Sequence, residues 1–301
     1  MKCDVAIIGS GPAGLTAGIY SARNGLDTVI VSKDIGGTAN SILALENWPG
    51  YKGSGAELMK KFYEHARSYD VHFVISEAKS LKKNGGSFLI KTAKEEIECK
   101  AIIIATGSER KKLKIPGEEE LIGRGISYCA TCDSFFFKNR IVGVIGGSDC
   151  ATSSALALAD IAKKVYVIYR GEKLKCEDIN MKEIEKKSNV EIFYNSFPTR
   201  VLGKEKVEGI EIIKGKEKKK EKIDLDGIFI EIGSSPITEF TKELKIKINP
   251  DNFIEVNPNM ETSIKGVFAC GDVVDFKLKQ VVVSASQGAI AAKSAGEFLN
   301  R

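Results

Sequence analysis

Two cysteines with the spacing of a redox pair are the residues of this sequence best suited to chemistry. Cys129 and Cys132 form the only CxxC motif of the chain. This spacing brings two sulfur atoms within bridging distance at the start of a helix, where the helix dipole and neighbouring charges lower the pKa of a thiol. Because a thiolate attacks in disulfide exchange, the pair predicts a disulfide that is formed and reduced in turn. The alternative is that both cysteines are small buried hydrophobic residues.

The other cysteines and the histidines predict neither a disulfide framework nor a metal site. The chain has seven cysteines, an odd number, and its first residues lack the features of a signal peptide. With two histidines and one cysteine pair, a zinc ion would lack ligands at a usable spacing, so no metal is expected. The cysteines that match no reactive pattern are interpreted as packing residues: Cys3, Cys99, Cys150, Cys176 and Cys270.

A glycine-rich loop near the N-terminus has the pattern that binds the pyrophosphate of a dinucleotide. The sequence GSGPAG occupies residues 9–14, directly after a predicted strand at 4–8 and before a predicted helix. In this pattern Gly9 makes the tight turn, Gly11 lets the backbone approach a pyrophosphate, and Gly14 allows the helix to pack closely. The phosphates would lie at the helix N-terminus. The alternative is a plain glycine-rich turn.

A second unit of the same kind begins midway along the chain. A predicted strand at 140–145 leads into Gly146, Gly147 and Ser148, followed by a predicted helix and a further strand at 165–168. Two strand–helix–strand units predict two nucleotide sites and an α/β fold. Ser148 takes the place of the second glycine, so its Cβ occupies the space through which the backbone would approach a pyrophosphate.

The length, composition and charge of the chain indicate which kind of protein positions these residues. The 301 residues suffice for about two average domains. No apolar run reaches the ~18 residues that would span a bilayer, so no transmembrane segment is expected. Because the first residues also lack the features of a signal peptide, we expect a cytoplasmic protein without membrane contact. The net charge of +5 includes a lysine-rich run at 214–222, expected to form the exposed tip of a hairpin between strands 207–213 and 223–230. Nucleic acid is not an expected partner.

Five motifs, in their order along the chain, resemble the low-molecular-weight thioredoxin reductases, a branch of the two-dinucleotide-domain flavoproteins. They are GSGPAG at 9–14, ENWPG at 46–50, ATG at 105–107, CATCD at 129–133, and Thr262-Ser263 followed by GVFACGD at 266–272. The resemblance implies an α/β fold with two Rossmann-like, three-layer domains, the second inserted into the first. Residues 1–112 and 241–301 would bind FAD, and residues 113–240 would form the pyridine-nucleotide domain.

The resemblance also implies roles around the cysteine pair. Cys132 would receive electrons from the reduced flavin, and Cys129 would attack the disulfide of thioredoxin or a thioredoxin-like protein. Asp133 corresponds to the acid–base residue that protonates the leaving thiolate; the alternative is an ordinary carboxylate in the first turn of a helix. Since Cys129 cannot face both flavin and partner, the resemblance implies rotation of the inserted domain about linkers near 111–114 and 236–242, in a homodimer.

The residues that the resemblance assigns to FAD lie at several places along the chain. Asp272 would bind the ribityl chain, and Lys279 stands where many members have an arginine. The final helix is expected from about Gln287 to Leu299. The full FAD set is Gly9, Gly11, Pro12, Ala13, Gly14, Gly37, Asn47, Ala105, Thr106, Gly107, Gly271, Asp272, Lys279, Gln280 and Ala285.

The sequence leaves the electron donor open. Members that use NADPH have a His-Arg-Arg run and a further arginine, whereas this chain has Tyr169, Arg170, Gly171 and Lys175 at those positions. Two remaining cations suit a weakened site for NADPH or NADH. The expected residues of that site are Gly146, Gly147, Ser148, Asp149, Arg170 and Lys175. The alternatives are reduced ferredoxin or a deazaflavin as donor and, from another class, a flavin-bound redox sensor or adaptor.

Overall fold

The backbone folds into two compact units. The structure, a computed structural model, describes residues 1–42, 45–215 and 219–300. One unit combines Met1–Glu109 with the chain from Ser235 on, and the other is Arg110–Ser234. The domain boundaries expected from the sequence, after residues 112 and 240, lie a few residues further along the chain than the boundaries of these two units, after Glu109 and Ser234.

Strands and helices are labelled in chain order. The strands are β1 (Lys2–Ile8), β2 (Thr28–Ser32), β3 (Leu45–Trp48), β4 (Tyr51–Gly53), β5 (His72–Ile75), β6 (Ala78–Asn84), β7 (Ser87–Thr92), β8 (Glu96–Ile104), β9 (Ser108–Arg110), β10 (Ile126–Ser127), β11 (Ile141–Ile145), β12 (Lys164–Ile168), β13 (Val190–Phe193), β14 (Ser196–Leu202), β15 (Gly209–Lys214), β16 (Lys219–Asp224), β17 (Gly227–Ile230), β18 (Ser234–Pro236) and β19 (Val267–Ala269). The helices are α1 (Pro12–Arg23), α2 (Gly55–Arg67), α3 (Ala130–Asp133), α4 (Asp149–Ala159), α5 (Asp178–Glu185) and α6 (Val281–Leu299). None of these helices, which belong to the described ranges, has the length and apolarity to cross a lipid bilayer.

The sheet of the first unit is largely parallel. Its strand order is β5-β2-β1-β8-β7-β6, and β19 pairs with the end of β8. β1 is apolar at consecutive positions because both faces of the sheet are covered. Val5 and Ile7 face the core beneath α1 and α6, whereas Ala6 and Ile8 face a second core on the opposite side. This layered parallel sheet confirms the Rossmann-like α/β fold predicted from the sequence.

Helices α1 and α6 pack closely because small residues lie at their contact. A Cβ built on Gly288 would overlap the main-chain carbonyl of Ala13. The start of α6 that was predicted at about Gln287 is wrong, since the helix begins at Val281. The run of valines at 281–283 favours a strand locally, but burial of Val281 and Ala285 against this core stabilises the helix.

The second unit is another parallel sheet, with strand order β10-β17-β11-β12-β13. Helix α4 covers one face, and an antiparallel sheet of β14, β15 and β16 supplies residues to the core on the other. The single strand predicted over 223–230 is wrong. β16 ends at Asp224, and β17 starts at Gly227 in the parallel sheet, because Asp226 pairs with Ile141 through main chain and side chain. Of the lysine-rich run, residues 216–218 lie outside the described residues.

Candidate active site

Cys129 and Cys132 are joined by a disulfide at the N-terminus of α3. Their Cα atoms lie 5.3 Å apart. Cys129 is the extended N-cap residue, and its carbonyl accepts the main-chain N–H groups of Cys132 and Asp133 at 3.2 and 3.1 Å. Both cysteines are half-buried, unlike the separate buried hydrophobic residues of the alternative interpretation. The pair is therefore bonded and close to the surface.

A buried serine links Asp133 to the cysteine pair. The Ser127 hydroxyl donates to Oδ2 of Asp133 at 2.6 Å and accepts the main-chain N–H of Cys129 at 3.0 Å. Ser127 ends β10, which pairs with β17, so the parallel sheet fixes its position. Ser127 was missed in the sequence analysis, and its place two residues before the CxxC motif is the signal that would have pointed to it.

A second carboxyl group, Glu231, also lies close to α3. It is 6% exposed, directly after β17, and its Oε1 accepts the hydroxyl of Ser154 at 2.9 Å. Burial raises the pKa of Glu231 above its ordinary value, and Ser154, Arg110 and the main-chain N–H of Ala130 partly offset this effect. Glu231 was not among the residues predicted from the sequence either. Its signal is a lone acidic residue within the apolar run at 227–232.

Two exposed phenylalanines follow the disulfide. Phe135 and Phe136 are 73% and 59% exposed, and their ring centroids lie 6.4 Å apart. Phe137 instead packs edge-on against the buried Phe229, with centroids 5.1 Å apart. An exposed aromatic surface thus lies next in the chain to the redox pair.

The N-terminal loop has the shape of a phosphate cradle. Gly9 has φ of +110°, and a Cβ there would overlap the carbonyl of Ala105, just as one on Gly14 would overlap the carbonyl of Gly9. Gly11 is open by contrast, since a Cβ there would meet only a carbonyl at 4.0 Å. Gly37 lies beside Gly11, and α1 begins without a side-chain cap. The main-chain N–H groups at this end of α1 therefore suit a pyrophosphate.

Further predicted FAD residues surround Asp272. Ser284 donates to its Oδ1 at 3.3 Å, and Nζ of Lys279 donates to its main-chain carbonyl at 2.9 Å. The same Nζ lies 3.6 Å from the ring centroid of Phe253, a cation–π contact that fixes the lysine. Gly271, with φ of +77°, donates its N–H to Oε1 of the buried Gln287 at 2.8 Å. Gln287 was not among the residues predicted for this site.

The remaining predicted FAD residues belong to the same unit. Asn47 donates to Oε1 of Gln280, the N-cap of α6, at 2.7 Å, which joins two distant parts of the sequence. Thr106 donates to the carbonyl of Ile237 at 2.7 Å. The others follow from the elements already described: Pro12 and Ala13 begin α1, Gly107 follows β8 with φ of +70°, and Ala285 is buried on α6.

The second glycine-rich loop differs from the first in what covers it. A Cβ on Gly147 would overlap the ring of Tyr169, so the aromatic ring lies directly against this glycine. The Lys175 main-chain N–H donates to the Gly147 carbonyl at 2.7 Å, which keeps this cation beside the loop. Arg170 is exposed nearby in sequence, after β12.

Asp149 and Cys150 begin α4, directly after Ser148. Oδ1 of Asp149 accepts the main-chain N–H of Glu177 at 2.7 Å and the side-chain amide of Asn180 at 3.1 Å, so it organises the loop before α5. Cys150 is exposed, and its interpretation as a packing residue is wrong. It lies on the exposed side of the first turn of α4, next to the buried Ala151.

Comparisons with known proteins agree with this geometry. The family described as pyridine nucleotide-disulphide oxidoreductase matches residues 3–288. A thioredoxin reductase of Aquifex aeolicus is 39% identical over 99% of this chain and 93% of its own length. The crystal structure of thioredoxin reductase from Streptococcus pyogenes is 35% identical, covers 99% of this chain and 98% of its own, and has a TM-score of 0.91. The crystal structure of a ferredoxin-flavin thioredoxin reductase from Clostridium acetobutylicum is 30% identical. It covers 100% of this chain and 98% of its own, with a TM-score of 0.55.

Proposed function

The chain belongs to the pyridine nucleotide-disulphide oxidoreductase family, in its branch of low-molecular-weight thioredoxin reductases, and we propose that it passes electrons from NADPH or NADH through FAD and Cys129–Cys132 to thioredoxin or a thioredoxin-like protein. The observation that carries the proposal is the half-buried disulfide at the start of α3, with the Asp133 carboxyl group bonded to Ser127, whose hydroxyl also accepts the N–H of Cys129. In this function Cys129 attacks the partner's disulfide, and Asp133 protonates the thiolate that leaves.

The first unit fits FAD, which when bound supplies the acceptor for a hydride and the source of an electron pair for a disulfide. The open backbone at Gly11 and the uncapped start of α1 would hold the pyrophosphate. The Asp272 carboxylate would bind the ribityl hydroxyls, while Lys279 holds the loop of Asp272 in place. In the second unit, Lys175 and Arg170 would bind the phosphates of the donor.

One experiment tests the electron path. The purified flavoprotein is mixed without oxygen with NADPH, NADH or reduced ferredoxin, and the visible flavin absorbance is followed before thioredoxin is added. We expect NADPH or NADH to bleach the flavin and thioredoxin to restore the absorbance. Cys132→Ser should retain the bleaching and lose multiple-turnover reduction of thioredoxin, because no disulfide can then form at α3. Replacing the exposed Cys150 by serine is the matched control and should change neither step.

Several results would contradict this function. A colourless protein, or undiminished thioredoxin reduction by Cys132→Ser, would show that the proposed path is wrong. Binding of thioredoxin without turnover would favour a redox sensor or adaptor instead.

A second candidate function keeps the thiol chemistry but uses reduced ferredoxin or a deazaflavin as donor. The Tyr169 ring against Gly147 favours it, since the ring covers the loop that would accept a nucleotide pyrophosphate. Bleaching by reduced ferredoxin alone, in the same set of mixtures, would establish this alternative.

Assembly and location complete the proposal. We infer a homodimer from the family resemblance, and light scattering of the purified protein measures its mass directly.

A cytoplasmic location agrees with the free thiols of the other cysteines, which suit a reducing compartment. Those thiols belong to Cys3, Cys99, Cys150, Cys176 and Cys270.

A further inference from the structure

A buried carboxyl group lies beside the disulfide helix, and the proposed reaction does not use it. Glu231 is the first residue after β17, at the carboxyl end of the parallel sheet. Its main-chain N–H donates to the carbonyl of Ile145 at 2.8 Å, which extends the pairing of β17 with β11. The sheet therefore fixes the point at which this side chain leaves the backbone.

Three other elements surround the Glu231 carboxyl group. The Ser154 hydroxyl, on α4, donates to it at 2.9 Å. The main-chain N–H of Ala130, in the first turn of α3, and the guanidinium of Arg110, at the end of β9, both favour its ionised form. Burial nevertheless raises its pKa above the ordinary value. β10 and β17 pair so that Ser127 lies opposite Phe229, and this register places Glu231, two residues further on, beside the start of α3.

Asp133, the other carboxyl group of this site, has a different environment. Asp133 accepts a hydrogen bond from the Ser127 hydroxyl, whereas Glu231 accepts one from the Ser154 hydroxyl. Asp133 is half-buried and Glu231 is almost wholly buried. The two carboxyl groups therefore lie in different surroundings and can have different tasks.

We propose that Glu231 is a positioning residue of the redox pair, which holds the first turn of α3 through Ala130 and controls by its charge how readily the sulfur atoms of Cys129 and Cys132 become thiolates. This inference rests on the proposed function. Reduction breaks the S–S bond with two electrons from the reduced flavin and one proton from solvent, leaving one thiol and one thiolate. A nearby carboxylate repels that thiolate, so the ionisations of the carboxyl group and the dithiol are linked.

The test measures thiolate formation directly in Glu231→Gln. Glutamine has nearly the same shape and keeps one acceptor oxygen, but it cannot ionise. The holoenzyme is reduced with dithiothreitol and alkylated with iodoacetamide across a range of pH, and peptide mass spectrometry gives the rate at each cysteine. Without the neighbouring negative charge, we expect Cys129 to react about tenfold faster than in wild type below the thiol pKa. Superimposable pH profiles for the variant and the wild type would overturn the proposal.

Control variants separate this effect from a general disturbance. Glu205→Gln removes an exposed carboxylate of the same unit and should leave the profile unchanged. Ser154→Ala removes the hydroxyl that favours ionised Glu231, so the change in the Cys129 alkylation rate that accompanies ionisation of Glu231 should move to higher pH. Ser153→Ala, on the exposed face of α4, should leave that pH unchanged. If Glu231→Gln fails to fold, identical profiles for the two serine variants overturn the proposal on their own.

The same assay distinguishes failure of this inference from failure of the proposed function, because it needs neither electron donor nor thioredoxin. Wild-type protein whose Cys129 and Cys132 never react would contradict the function itself. Reactive cysteines with equal rates in wild type and Glu231→Gln would contradict only the role of Glu231.

Discussion

At the scale of single residues, the disulfide is organised by hydrogen bonds from the strand that precedes it. The Ser127 hydroxyl both accepts the N–H of Cys129 and donates to the carboxylate of Asp133. A hydroxyl that makes both contacts fixes the backbone of Cys129, the proposed attacking residue, relative to the carboxyl group of Asp133, the proposed acid. An acid must lie within hydrogen-bond reach of the atom it protonates, so this serine would hold Asp133 in place for the proposed proton transfer.

Replacing Ser127 by alanine should therefore slow the step that needs Asp133. A hydrogen bond contributes about 0.5–1.5 kcal/mol net, and we expect a fall of up to about tenfold in kcat for thioredoxin reduction. Flavin reduction by the donor should be unchanged, because Ser127 bonds Cys129 and Asp133, and neither residue is proposed to bind FAD or the donor. Stopped-flow measurement of both half-reactions checks this, with Ser153→Ala as the control; an unchanged kcat would contradict the role of the serine.

At the scale of elements, both glycine-rich loops lie where a parallel strand passes into a helix. In the first unit, β1 and α1 approach so closely that no side chain fits between Gly14 and Gly9. Such a close approach brings the start of α1 to the edge of the sheet, where a phosphate can reach its N–H groups. The loop therefore depends on the packing of the helix as well as on its own glycines.

Replacing Gly14 by alanine should destabilise this junction. The new Cβ would overlap a backbone carbonyl, so α1 must shift away from β1, at a cost of about 1–3 kcal/mol. We expect a lower midpoint of thermal unfolding and less FAD per chain after purification. Gly86→Ala is the control, since a Cβ there meets nothing within 4 Å. Equal stability and flavin content in both variants would show that the close packing is not needed.

At the scale of the whole molecule, a protein substrate must reach a disulfide that is only half-buried. Phe135 and Phe136 expose two aromatic rings immediately after the redox pair. Exposed aromatic side chains are costly in water and often supply most of the binding energy at protein interfaces. This surface is consistent with thioredoxin docking beside the disulfide.

Replacing both phenylalanines by alanine should weaken the encounter without changing the chemistry. We expect about a tenfold or greater rise in KM for thioredoxin, while reduction of a small disulfide dye keeps its rate because the dye needs no docking surface. Steady-state assays with both acceptors measure the difference. Replacing the exposed Phe197, on β14 of the same unit, is the control. An unchanged KM for thioredoxin would exclude this surface as the docking site.

The sequence alone determined the features that depend on local pattern and spacing. The parallel α/β units follow from strands that are apolar at consecutive positions and lead into glycine-rich turns, and the family follows from the order of the motifs. The CxxC motif likewise predicted its disulfide because its two cysteines are only three positions apart in the chain. These properties need no knowledge of what lies across the core.

Only the tertiary structure decided which distant residues meet. Ser127 and Glu231 approach α3 because β10 pairs with β17, a register that no local pattern contains. The Tyr169 ring lies on Gly147 because β12, the strand that Tyr169 follows, pairs with β11. The early start of α6 has the same origin, since burial against α1 outweighs the strand preference of its valines. Long-range packing selects among conformations that local preference leaves nearly equal in free energy.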